Sequence, residues 1–227
     1  MNKKWGSAES VLVTWVGLAM VISILATFIL RGSFPIFTLL WLIVPLLVVI
    51  RTHDAGRVGF IRISWRMFLG TTAINLALLL LVSLIFEPWA HSYQALVNGA
   101  ISSSPPDTTF AWLVRFTGVP AWGGLLLYSG LVTIFSEELF FRGWLLQSLR
   151  GKMNKPWAIV IQAALFTIPQ LLAAFLLAPS KGLVYAILYS FLGIGTIGGW
   201  AASRTQSIWP SLVSATVWNL ILVAWVL

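Results

Sequence analysis

Apolar runs of roughly 20 residues recur along this chain, separated by charged residues or by proline and glycine. A helix needs about 20 mainly apolar residues to cross the hydrocarbon core of a bilayer. The pattern predicts seven such spans, near residues 11–30, 34–50, 67–86, 119–141, 157–178, 183–202 and 208–227. The runs are apolar throughout, whereas the strands of a membrane barrel alternate over about ten residues. An all-α polytopic membrane protein with about seven transmembrane helices is therefore expected. The run that begins at Val11 continues to Leu30, too long for the core of a cleaved signal peptide.

Two connections stand apart. Residues 51–66 space Arg62 and Arg66 four apart, with Phe60, Ile61 and Trp65 among them, and read as an interfacial segment on the cytoplasmic surface. Residues 87–118 form the long outer connection. Its middle is rich in turn residues (Pro105, Pro106, Ser102 to Ser104), and an amphipathic stretch follows at 110–116. Both histidines, His53 and His91, are placed in connections of this kind.

Composition narrows the reading. Of 227 residues, 59% are hydrophobic and 9% charged, against about 45–50% and about 25% in soluble domains. A water-soluble globule, a disordered chain and a nucleic-acid-binding domain are excluded. Cysteine is absent, which removes disulfides, thiolate metal sites and thiol chemistry. The net charge of +8 resolves once the basic residues are set against the spans. With a cytoplasmic N-terminus, eleven fall inside (Lys3, Lys4, Arg51, Arg57, Arg62, Arg66, Arg142, Arg150, Lys152, Lys155, Arg204) and three outside (Arg31, Arg115, Lys181). That asymmetry follows the positive-inside rule and puts the C-terminus on the outer side of the cell or inner membrane. Anionic lipid headgroups attract the same basic residues.

Candidate chemistry concentrates in one place. Of six acidic residues only Glu137 and Glu138 fall within a predicted span, where an ionisable group costs about 2.5–3.5 kcal/mol on insertion scales. Arg142 lies four residues beyond Glu138, on the same helical face, and can pair with it. Glu137 points about 100° away. A desolvated carboxylate without a cation is the kind of group that serves as a general base near neutral pH. Structural pairing with Arg142 by itself accounts for Glu138. Gln162 and Asn75 are expected to hydrogen-bond neighbouring helices, and Ser129, Thr133 and Ser136 to bond back to helix carbonyls. No serine in a span has a base beside it, so a serine nucleophile is not expected.

The run Glu137-Glu138-Leu-Phe-Phe-Arg142 resembles EExxxR, the first motif of the CPBP family of glutamate-dependent intramembrane endopeptidases (CAAX proteases and bacteriocin-processing enzymes, also called Abi). Phe166-Thr-Ile-Pro-Gln170 stands where that family has FxxxH, and Ala215-Thr-Val-Trp-Asn219 where it has HxxxN or HxxxD. The resemblance covers 119–227, implying a four-helix catalytic-type core there, preceded by three spans and the outer connection in 1–118. It implies that Glu137 activates water, that Asn219 keeps a polar oxyanion position, and that Glu138 and Arg142 complete the first motif. The resemblance puts the water-activating histidine at Gln170 and a second histidine at Ala215.

Those two departures bear on function. A glutamine amide orients water but exchanges no proton near neutral pH, and alanine donates nothing. General acid–base help is worth about 10²–10⁴-fold and one oxyanion donor about 10²–10³-fold. The expected function is therefore that of a membrane partner, assembly factor or subunit with little or no proteolytic activity. The alternative is an active intramembrane endopeptidase with Glu137 as base. A transporter is disfavoured because no inverted repeat is evident. No cofactor and no metal are expected, since Glu137, Glu138, Gln170 and Asn219 are a poor zinc set. Membrane lipids and another integral membrane protein or membrane-bound peptide are the expected partners, and nucleic acid is not.

Overall fold

In the computed structural model the residues described are 36–102, 134–177, 184 and 186–226, and every regular element among them is helical. Six helices overlap the second to seventh apolar runs. They are α1 (Ile36–Thr52), α2 (Trp65–Ser102), α3 (134–150), α4 (Lys155–Leu177), α5 (186–205) and α6 (Trp209–Val226). A 3₁₀ turn, Ala55–Val58, joins α1 to the approach of α2. Two helices change their hydrogen-bonding period. Glu138–Leu145 of α3 and Ala186–Ile197 of α5 are π-helical, the wider i→i+5 winding that often marks functional sites. The expected first span and the start of the fourth lie outside the described residues.

Among the described residues one segment, Trp65–Ile85 of α2, is long and apolar enough to cross a membrane; the apolar parts Leu40–Thr52 and Lys155–Ile168 are shorter. Its side-chain distribution is the reverse of a soluble helix. Thr71, Asn75, Leu79 and Ser83, spaced four apart, are buried, while Leu69, Ile74, Leu78, Leu81, Leu84 and Ile85 are exposed. A polar stripe inside and an aliphatic surface outside suit a lipid environment, where polar side chains join helices. The matching stripe on α6 is Ser211, Ser214 and Trp218. Asn75 donates through Nδ2 to Ser214 Oγ, and Trp218 Nε1 donates to Ser83 Oγ at 2.8 Å. Asn75 thus meets its expectation.

These two links lie eight residues apart on α2, about 12 Å, so their losses are expected to add. Asn75→Ala and Ser83→Ala should each lower unfolding free energy by about 1 kcal/mol, and the double variant by the sum. Thermal unfolding of the detergent-solubilised protein checks this; a double variant no weaker than either single one would refute it.

Two connections differ from expectation. The helix expected to end near Phe86 continues to Ser102, so α2 runs about 57 Å against a hydrocarbon core of about 30 Å. His91 therefore lies on a helix rather than in a loop. Pro88, of a residue type that often ends a helix, is accommodated within it: its fixed φ is helical, and only one backbone bond is lost. Residues 53–64, within the stretch read as interfacial, hold one 3₁₀ turn and no α-helix. Gly59, left-handed at φ 79°, ends the 3₁₀ turn, and 60–64 has no regular structure before α2 begins at Trp65. The Arg62–Arg66 spacing is consequently not a helical one.

This short stretch is pinned to the core. Asp54 accepts from Gly56 N–H at 2.9 Å, Gly59 carbonyl accepts from Ile208 N–H at 3.0 Å, and Ile61 carbonyl accepts from Ser207 Oγ at 3.0 Å. Gly143 of α3 packs on the Val58 carbonyl and on Ile208. Around this junction lies the core of Trp41, Val58, Phe141, Phe166 and Ile208, with Trp41 and Phe166 each edge-on to Phe141 at 5.3 and 5.2 Å.

Candidate functional site

The π-helical winding of α3 carries Glu138 and Arg142, and Glu137 stands just before it. Glu138 and Arg142 stay on one face, four residues apart, with side chains 2% and 0% exposed. Glu138 Oε1 lies 3.5 Å from Arg142 Nε. A partner comes from α6: the Ser211 hydroxyl is 2.6 Å from Glu138 Oε2 and 3.0 Å from the Ile208 carbonyl. It has one proton, and the charged, nearer oxygen is the stronger acceptor.

The guanidinium is engaged in part: Nε and Nη1 are buried without a hydrogen bond to a described residue. Arg142 Nη2 donates to the Ile194 carbonyl of α5 at 2.8 Å, and its Cζ stands 4.2 Å over the ring of Phe166 on α4. Gly198 of α5 admits this approach, since a Cβ there would come within 3.3 Å of Nε. One buried ion pair therefore joins four helices, α3 to α4, α5 and α6. Desolvation consumes most of the attraction within such a pair, so its main contribution is the geometry it imposes.

Glu137 is placed differently. It is half-buried at the last α-helical residue before the π segment, and it makes no hydrogen bond or ion pair to a described residue. Ala215 is buried on α6, one turn beyond Ser211. Gln170 falls late in α4 and Asn219 late in α6; their side chains lie outside the described residues, as do Ser129 and Thr133. The structure thus brings Glu138 and Arg142 together, with Phe166 of the second motif on the guanidinium. His53 is exposed in the turn after α1. Gln162 departs from expectation: it is fully buried, and neither amide atom has a hydrogen-bond partner. The facing Gly199 of α5 offers it no side chain.

Residues 119–221 match the family described as type II CAAX prenyl endopeptidase Rce1-like. This segment is an Rce1-like domain of the CPBP family. No curated protein and no solved structure matches the chain. All three motif positions, Glu137 to Arg142, Phe166 to Gln170 and Ala215 to Asn219, lie inside the Rce1-like domain, as the motif resemblance implied. The family is membrane-embedded, in keeping with the exposed aliphatic surface of α2.

Ser211 is the site residue that sequence reading missed. It stands four residues before Ala215 and eight before Asn219, on the same face of α6. That periodicity was a usable signal. The Ile194 carbonyl had none, because every residue carries one.

Proposed function

We propose that this chain is a seven-span membrane protein, N-terminus cytoplasmic and C-terminus on the outer side, whose Rce1-like domain has little or no endopeptidase activity. It holds another integral membrane protein or a membrane-bound peptide, as an assembly factor or a subunit of a complex. The observation that carries this reading is Ala215. The family resemblance puts a histidine at this position, and a buried methyl group stands there, one turn from the Ser211–Glu138 contact. Gln170 replaces the other histidine in sequence. Glu138 accepts from Ser211, and Arg142 donates to Ile194 and lies over Phe166, contacts that support a helix-packing role for these two motif residues.

A second reading rests on Glu137. Half-buried, near the Arg142 charge but without a hydrogen bond to a described residue, it is free to meet a water and a scissile carbonyl as a base must. The two readings separate on Glu137→Gln. Wild type and variant are purified from native membranes in mild detergent, and the co-eluting proteins identified by mass spectrometry. The same intact partner at near-equal stoichiometry in both is expected. A protein intact with the variant but recovered only as fragments with wild type would establish proteolysis and refute the first reading.

A further inference from the structure

A groove of about 360 Å³ opens where the 60–64 stretch meets the first turns of α2 and α6. Its walls are mainly apolar: Trp65 and Phe68 on one side, stacked at 5.3 Å, and Trp209 and Val213 on the other. Arg62 is the charged residue of its lining. Arg66, next to Trp65 in the first turn of α2, is outside the lining itself, and both arginines are exposed. Trp65 is 69% and Trp209 41% exposed, so the groove faces outward.

Three features define what suits it. The first is depth. The apolar segment Trp65–Ile85 starts at the groove, which places it at one end of a span, the level of lipid headgroups, where tryptophan is favoured. The second is charge. Asp54, the acid of the 51–66 stretch, lies 3.8 Å from Arg57, and Arg62 and Arg66 have no ion pair to a described residue. The third is chemistry. A guanidinium binds a phosphate through two parallel N–H donors, and aromatic walls receive a hydrocarbon chain. A peptide would satisfy the apolar walls but leave the cations without a counter-charge.

We propose that this groove binds one anionic phospholipid, with its phosphate on Arg62 and Arg66 and one acyl chain between Trp65–Phe68 and Trp209–Val213. The site does not depend on whether Glu137 does chemistry.

The test uses the full chain in nanodiscs of equal parts phosphatidylglycerol and phosphatidylcholine, then native mass spectrometry after release into detergent. Wild type is expected to retain one phosphatidylglycerol in preference to phosphatidylcholine. Each of Arg62→Gln and Arg66→Gln should weaken that retention about fivefold, and the pair about 25-fold. Lys155→Gln, an exposed cation at the start of α4, should change it less than twofold. Trp65→Ala should weaken retention of phosphatidylglycerol while leaving the unfolding temperature unchanged. Equal retention of both lipids, or a Lys155→Gln loss as large as that of the arginine pair, would show diffuse attraction and overturn the proposal. A co-purifying peptide in place of lipid would overturn it as well.

Discussion

Arg142→Met is expected to lower unfolding free energy by about 3–5 kcal/mol, the cost of leaving a buried charge without its counter-ion. The carboxylate of Glu138 would keep the Ser211 hydroxyl as a donor, and no other cation lies in its contacts. The Ile194 carbonyl would lose its Nη2 donor, and the Phe166 ring its cation. Arg142→Met with Glu138→Met should be less damaging than Arg142→Met alone. Removing both charges abolishes the desolvation penalty, and methionine fills irregular apolar space. The measurement is chemical unfolding in mixed micelles. A single-variant loss below about 1 kcal/mol would mean that the pair is hydrated and not a four-helix junction.

Gly143→Ala is expected to be the more severe packing change. A Cβ at Gly143 would overlap the Val58 carbonyl oxygen, come within 3.1 Å of its carbon and 3.4 Å of Ile208 Cγ2. The clash is with backbone, and that backbone cannot retreat. The Asp54 cap holds one side of the 3₁₀ turn, and the left-handed Gly59, bonded to Ile208 N–H, holds the other. Overpacking a core ordinarily costs about 1–3 kcal/mol, and more where the neighbour cannot move. Loss of most monodisperse protein on detergent extraction is expected. Gly70→Ala is the control: nothing lies within 4 Å of its added Cβ, and alanine favours the helix by about 0.8–1 kcal/mol. Equal behaviour of the two variants would show that the α3–turn contact is not close.

Both predictions turn on residues that serial patterning treats unequally. The Glu138–Arg142 pair was legible because i, i+4 is a local relation, preserved when the helix winds wider. Gly143 carried no signal, since a glycine beside a motif arginine looks like any other small residue of a membrane helix. Asn75 was recognisable as a polar residue needing a partner, but that the partner is Ser214 depends on how α2 lies along α6. Gln162 shows the converse: a polar residue in an apolar run predicts a hydrogen bond only if the facing helix supplies one. The extension of α2 to Ser102 was hidden by Pro88, because proline weakens a helix without obliging it to stop.

The chain by itself determined the helical class, the absence of cysteine chemistry and the family of residues 119–221. Each is a property of composition or of order along one chain. Tertiary structure alone decided that Ser211, Ile194 and Phe166 converge on Glu138 and Arg142, and that the 60–64 stretch shares a groove with α6. Those groups are separated by between 24 and 152 positions in the sequence. Only packing, which minimises unpaired polar surface and void space in three dimensions, brings them within bonding distance.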